Sequence, residues 1–484
     1  MSFTSYSFLL FAAILLVIYY SIPARGQWLL LLGASYCFYA QSGKENLVFI
    51  LLTTASTYIA ARLIYRAQAA CDRKTAKSCS RLWLWLCLGI HFGLLALCKV
   101  RFTFQNVLLP MGISFYMFQS MGYVLDVYRG SIHPEKNPFK LALFVCYFPQ
   151  LVQGPISKYQ ELMPQLLEQR RYNGKQVSFG LQRMLWGYFK KLVIADRIAV
   201  AVLALKGPEH TGLAFLVLSC FYAIQIYGDF TGGIDIAIGL SEALGITLPE
   251  NFVRPFFSKN IAEYWRRWHI TLGQWMKEYV FYPVSVSAPM RRLSKSARKK
   301  WPKLGKRLPV YAATFATWFC TGIWHGITPN FLLWGMLNCL VIVISEELTP
   351  LYQKFHSRFP WKNKPWYGAF EMLRMFLLMN LIRIVDLFPN IGEYFRRLGT
   401  VFTSASVPFL ELGLGVVDYG ILICGCAVML CVSIIQEKKG SVRQLLWQRA
   451  GLRYAVILGL LLAVLLMGSY GIGYDAGNFI YNQF

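Results

Sequence analysis

Acidic residues are scarce in this chain of 484 residues: 23 Asp and Glu stand against 49 Lys and Arg. Charged residues of both signs reach only 15% and hydrophobic ones 56%, where a soluble domain carries roughly 25% and about 45–50%. So little charge with so much apolar surface excludes a disordered chain and a single soluble core. The twelve cysteines contain no CxxC pair and no Cys/His metal spacing, which excludes a disulfide-stapled scaffold and argues against a bound metal. GxGxxG, GxxxxGK[ST], GxSxG and HExxH are all missing, so hydride transfer, nucleotide-driven chemistry and zinc hydrolysis have no support.

What is present is a succession of apolar runs, from 6–23 to 452–472, many near the about 20 residues that a helix needs to cross a bilayer. Several are short or broken by Gly and Pro, as half-length or re-entrant helices are. The expectation is an all-α, polytopic membrane protein of about 11–13 transmembrane helices plus re-entrant or amphipathic ones. The first run lacks a basic leader and a clean small-residue cleavage site, and it reads as a retained span.

The net charge of +26 would suggest nucleic acid in a soluble protein. Here the basic residues cluster in short connections, the positive-inside pattern of a multi-pass protein. The expected contacts are therefore membrane lipids, and nucleic acid is excluded as a partner. Residues 62–81 and 436–453, each with a single acid, are expected in the cytoplasm, which puts both chain ends outside. Cys71 and Cys79 then lie where thiols stay reduced, and the cysteines within apolar runs are expected as buried free thiols. The most basic segment, 291–307, reads as a solvated cytoplasmic loop, an anionic-lipid anchor or an entry patch for a phosphate-bearing donor.

Only six histidines remain as candidate catalysts. His133, His210 and His356 sit in polar connections, and His91 stands alone on an apolar run, as a core histidine bonded to a neighbouring helix would. His269 lies in Tyr264-Trp265-Arg266-Arg267-Trp268-His269, and His325 in Thr321-Gly322-Ile323-Trp324-His325-Gly326. His325 ends an apolar run between glycines, and an ionisable residue at membrane depth is costly and marks function by default. Neutral imidazole suits removal of a hydroxyl proton near pH 7. Of the embedded charges, Asp229, Asp235 and Glu263 are expected to pair with nearby basic residues, Glu263 with Arg266 or Arg267 one turn on.

Five segments carry a resemblance over most of the chain: LPMGISFYMFQSMGYVLDVYRG at 109–130, FPQLVQGPISKYQELMPQL at 148–166, QIYGDFTGGIDIAIGL at 225–240, the run 251–283 and TGIWHG at 321–326. The ending FIYNQF adds to it. The chain resembles the membrane-bound O-acyltransferase (MBOAT) family, and within it the bacterial branch of alginate O-acetyltransferase and the teichoic-acid D-alanyl transfer protein. It departs from that branch after Tyr282-Pro283, at Pro329 and after Asp229, away from both histidines.

The resemblance implies one membrane-embedded acyltransferase domain over 1–484, with N-terminal helices at 1–100, the family core at 101–346 and C-terminal helices at 347–484. It implies a central tunnel in a bacterial cell membrane, with His325 as the essential catalytic histidine and His269 as a second catalytic position. His325 would act as general base. His269 would either orient the acceptor or hydrogen-bond the thioester oxygen. Trp265, Arg266, Trp268, Trp324, Asn330 and Asp229 are the expected substrate-binding residues. No bound cofactor or metal is implied; the acyl donor is acetyl-CoA or an acyl-carrier-protein thioester, and the acceptor is a polysaccharide. An extracytoplasmic acetyltransferase of the SGNH type is the implied partner. The alternatives are D-alanyl transfer to teichoic acid from a D-alanyl carrier protein, acylation of lipid or protein, and polymer export.

Overall fold

The computed structural model describes residues 2–70, 72–105, 109–207, 209–403, 407–471, 474–475 and 479. Cys71, Pro208 and the last five residues of the ending motif lie outside them. Among the described residues the regular structure is helical, and the one ladder contact is an isolated antiparallel bridge between Phe252 and Trp268. The all-α expectation is met. Among the described residues six helices are long and apolar enough to cross a membrane: Lys44–Ala70, Lys74–Gln105, Leu213–Ala243, Pro329–Glu347, Val416–Lys439 and Ala450–Met467. Some other apolar runs form shorter or interrupted helices. The apolar stretch of residues 139–156 breaks at Tyr147 into Pro138–Cys146 and Phe148–Leu151, and that of residues 369–388 ends its helix at Arg383 in a 3₁₀ turn, Ile384–Leu387. The chain is a multi-pass membrane protein.

Packing divides it into two compact units, each built from separate stretches: residues 1–193, 228–249 and 441–484 in one, 194–227 and 250–440 in the other. In the first unit, Leu47–Ala70 and Arg73–Gln105 form a helical hairpin. Its turn is closed by the Asp72 carboxylate, which accepts from the backbone N–H groups of Lys74 (2.9 Å) and Thr75 (3.2 Å). His91 is wholly buried, with Nε2 3.0 Å from the Ser56 hydroxyl of the partner helix, the core histidine its position suggested.

The same unit contains a close crossing between Gly174–Tyr188 and the second half of Leu213–Ala243. A Cβ on Gly187 would meet the Gly232 carbonyl at 2.6 Å, and one on Gly239 would meet the Gly180 carbonyl at 2.6 Å. Small residues at both places let the backbones touch, the usual way of packing helices where no hydrophobic force separates protein from lipid. A π-helical segment, Phe189–Ala195, carries Lys190 and Lys191. Lys190 pairs with Asp235 (2.6 Å), which also holds Arg183 (2.8 Å), and Lys191 pairs with Asp229 (2.5 Å).

In the second unit, Pro302–His325 and Pro329–Glu347 form a tight hairpin. A Cβ on Gly335 would lie 2.5 Å from the Trp318 carbonyl, and one on Gly322 would lie 2.8 Å from that of Phe331. Ahead of it, the basic segment expected as a loop is instead helical over Ala288–Lys300 before the next helix begins at Pro302. Ser287 caps its start by accepting from Met290 N–H (3.3 Å), and Arg298, Lys299 and Lys300 complement the negative end of its dipole. The described cysteines are free, but Cys37, Cys320, Cys424 and Cys431 are exposed on helix faces rather than buried.

Candidate active site

Both singled-out histidines lie in the second unit, each where a helix stops. Asn260 caps the short helix Ile261–Arg267 by accepting from Glu263 N–H (2.9 Å), and Trp268 ends it. The chain then turns at His269, whose φ of 46° and ψ of 52° put it in the left-handed region, before Ile270–Met276 begins. His269 and Arg254 are the non-glycine residues with positive φ among those described. Such a conformation costs about 1–3 kcal/mol and persists only where the surroundings over-determine it.

Here the surroundings are the strand-like return of 251–253 against 267–270. Val253 N–H donates to Arg267 O (2.9 Å) and Ile270 N–H to Asn251 O (3.0 Å), bracketing the Phe252–Trp268 bridge. The wholly buried Asn251 then accepts at Oδ1 from Thr271 N–H (3.1 Å) and the Thr271 hydroxyl (3.0 Å), with His269 Nδ1 3.3 Å away. His269 lies outside the six candidate spans. Burial, and then the nearby Arg383 charge, push its imidazole down to about 3, so it is neutral at ordinary pH.

His325 is the last residue of Pro302–His325 and is half-buried. Aromatic rings enclose it: Trp324 and Trp334, each 4.8 Å between centroids and edge-on, and Phe331 at 6.4 Å. The Trp324 ring is also 5.8 Å from His269, so one indole borders both histidines. The enclosure continues through Trp265, 6.0 Å from Trp334 and 4.6 Å from Trp318. Trp265 Nε1 is buried without a hydrogen-bond partner among the described residues. These rings make a largely apolar surround beside the two imidazoles, of the kind that lines small-molecule sites.

The other expected binding residues separate by position. Trp268 is buried under the Arg383 guanidinium, 4.0 Å from its ring centre, and stacks on Tyr264 at 5.7 Å. Arg383 in turn donates to the Tyr264 hydroxyl (3.1 Å). Asn330 is buried, and its amide donates to the carbonyls of Val385 (3.1 Å) and Phe388 (2.6 Å), tying the 3₁₀ turn to the second hairpin helix. Arg266 is exposed and makes no hydrogen bond or ion pair among the described residues. Its neighbour Arg267 takes the contact with Glu263 (2.8 Å) and reaches Glu437 (3.0 Å). Asp229 belongs to the first unit, where it pairs with Lys191 as the embedded acids were expected to do.

Reading the sequence alone missed Trp318, Trp334 and Phe331 as walls of the His325 enclosure, and Asn251 and Thr271 as supports of His269. The three aromatics looked like ordinary members of apolar helices. Asn251 and Thr271 were inside a recognised segment, with no local signal of what they touch. Among the described residues no group of three or more His, Cys, Asp or Glu side chains is placed to hold a metal ion.

A protein-family model described as MBOAT, membrane-bound O-acyltransferase family, matches residues 135–385, more than half of the chain and the part that holds these residues. The chain is 33% identical over 437 residues to the probable alginate O-acetylase AlgI of Pseudomonas syringae pv. tomato, covering 85% of this chain and 77% of that protein. It is 29% identical over 391 residues to the peptidoglycan O-acetyltransferase of Helicobacter pylori, covering 72% and 69%. With the teichoic acid D-alanyltransferase of Bacillus subtilis it shares 26% over 264 residues, covering 53% and 63%.

Proposed function

The chain belongs to the membrane-bound O-acyltransferase family, and from that membership we propose that it moves an acetyl group to a hydroxyl of a cell-surface or secreted polysaccharide. The donor is a cytoplasmic thioester, acetyl-CoA or an acyl-carrier-protein thioester, and the protein resides in a bacterial cytoplasmic membrane. An extracytoplasmic acetyltransferase of the SGNH type completes delivery to the polymer. The relatives named as alginate and peptidoglycan O-acetylating proteins support the acetyl and polysaccharide parts of this reading.

The observation that carries the chemistry is His325, half-buried at a helix end inside an aromatic enclosure that His269 borders through Trp324. His325 takes the proton of the acceptor hydroxyl as its oxygen bonds to the thioester carbonyl carbon. The carbon–sulfur bond then breaks, and the proton passes to the leaving sulfur, giving an ester and a free thiol. General-base assistance of this kind contributes about 10²–10⁴ in rate.

The test is mass spectrometry of surface and secreted glycopolymers from cells carrying the native partner genes with wild-type protein or His325→Ala. Acetyl esters present with wild type and lost in the variant support the proposal and identify the polymer. Alanyl esters with the same dependence move the assignment to D-alanyl transfer from a carrier protein. Unchanged esters at equal expression remove the catalytic role from His325, and polymer export becomes the reading to pursue.

A further inference from the structure

A histidine can bind a substrate as donor or as acceptor, and the tautomer decides which. Around His269 the choice follows from one backbone group. Thr271 N–H can only donate, and it points at the Asn251 side chain from 3.1 Å. The atom it meets must therefore be the amide oxygen. Rotating the amide would set NH₂ against N–H and leave the oxygen without its donors. The same oxygen faces His269 Nδ1 at 3.3 Å, the longest of its three contacts. An acceptor cannot face a lone pair with profit, so the proton of the neutral ring sits on Nδ1 and the lone pair on Nε2.

The amide also accounts for why an aspartate does not stand at this position. A carboxylate there would accept the same three hydrogen bonds, but its charge would favour the imidazolium. The amide orients the ring and leaves it neutral. It does so at a cost: Asn251 is 0% exposed and its Nδ2 has no hydrogen-bond partner among the described residues. An unmade buried hydrogen bond of that kind costs about 1–3 kcal/mol. A side chain kept for packing alone would not carry that cost, nor would its neighbour hold a left-handed φ of 46°.

We infer that Asn251 is a positioning residue that holds His269 as its Nδ1–H tautomer, so that Nε2 accepts a hydrogen bond from a hydroxyl of the acceptor and does not donate to the thioester oxygen. Of the two roles open to His269, this selects orientation of the acceptor. The hydroxyl it holds neighbours the one that His325 deprotonates. The inference rests on the functional reading above and adds to it the division of work between the two histidines.

The experiment measures initial rates of ester formation against pH in cells or native membranes containing the partner genes, with folded protein quantified by size-exclusion chromatography. Asn251→Leu is expected to lower the rate about 10–100-fold, the size of effect that losing the orienting partner of a metal-bound histidine has. Asn251→Asp keeps the acceptor oxygen. It is expected to keep activity at neutral and higher pH, where the ring stays neutral, with the acid limb of the profile displaced upward by about one unit or more as the new charge raises the His269 pKa. In a His269→Ala background, Asn251→Leu should cost nothing further, because its effect runs through the ring. A purely structural Asn251 would be harmed equally by Leu and Asp at every pH and would remain costly without His269; either result overturns the inference. Wild-type rate and profile in Asn251→Leu, with His269→Ala inactive, overturns it while leaving the functional reading intact. Wild-type rate in His269→Ala removes both the Asn251 inference and the role of His269.

Discussion

Lys191 and Asp229 are 1% and 2% exposed in their side chains and 2.5 Å apart, which makes each charge dependent on the other. Burying an ion costs several kcal/mol, so removing one partner leaves the other charge buried without this counter-ion, at about 3–5 kcal/mol. Lys191→Met and Asp229→Asn are each expected to lower the apparent melting temperature of the detergent-solubilised protein sharply. The double variant should be more stable than either, because no charge is left over. Additive losses in that cycle would mean that the two side chains do not act as a pair. Asp229 is expected both to pair with a basic residue and to bind substrate, and the structure shows the pairing, with Lys191. Glu263 also pairs: its i,i+4 contact with Arg267 was available from spacing alone, and the structure makes it at 2.8 Å.

At the scale of elements, the end of Pro302–His325 is held by two glycines with different duties. Gly322 lets the facing helix approach, and Gly326 turns the chain where any Cβ would overlap the Phe331 ring. Gly326→Ala should therefore push Phe331 out of the His325 enclosure. Because misplacement by about 1 Å can cost 10²-fold, the expected loss of ester formation is about ten- to a hundredfold, with the protein still folded. Gly273 offers the matched comparison: a Cβ there meets nothing closer than the Trp265 carbonyl at 3.9 Å, inside the helix Ile270–Met276. Gly273→Ala should stabilise by about 0.5–1 kcal/mol, as replacing a mid-helix glycine does, without loss of activity. Equal activity in the two variants would show that Phe331 does not shape the site.

At the scale of the whole molecule, the excess of basic residues raises the question of what it attracts. Arg291, Arg292, Lys295 and Arg298 are exposed on a helix without an acidic residue. Exposed like charges draw an anionic donor toward them, and salt screens that attraction over about 8–10 Å. Replacing the four with Gln is expected to raise the donor concentration at half-maximal rate severalfold at low salt, with a smaller effect at high salt. An unchanged dependence on donor would limit this helix to positive-inside charge or lipid contact.

The membrane class, the helical fold and the family were legible in the sequence, because each depends on composition or on short contiguous segments. Hydropathy survives any arrangement of neighbours, and the motif residues on either side of His269 and His325 are contiguous in the chain. What surrounds those histidines was decided by tertiary structure. Asn251 reaches His269 only because 251–253 folds back on 267–270, and Trp334 reaches His325 only because a tight hairpin brings the next helix across it. Asn330 is expected from the resemblance to bind substrate, and only packing shows that its amide donates to Val385 and Phe388. Local patterns record what a segment prefers; which distant group satisfies a buried donor or acceptor follows from packing, and that packing assigns the site its chemistry.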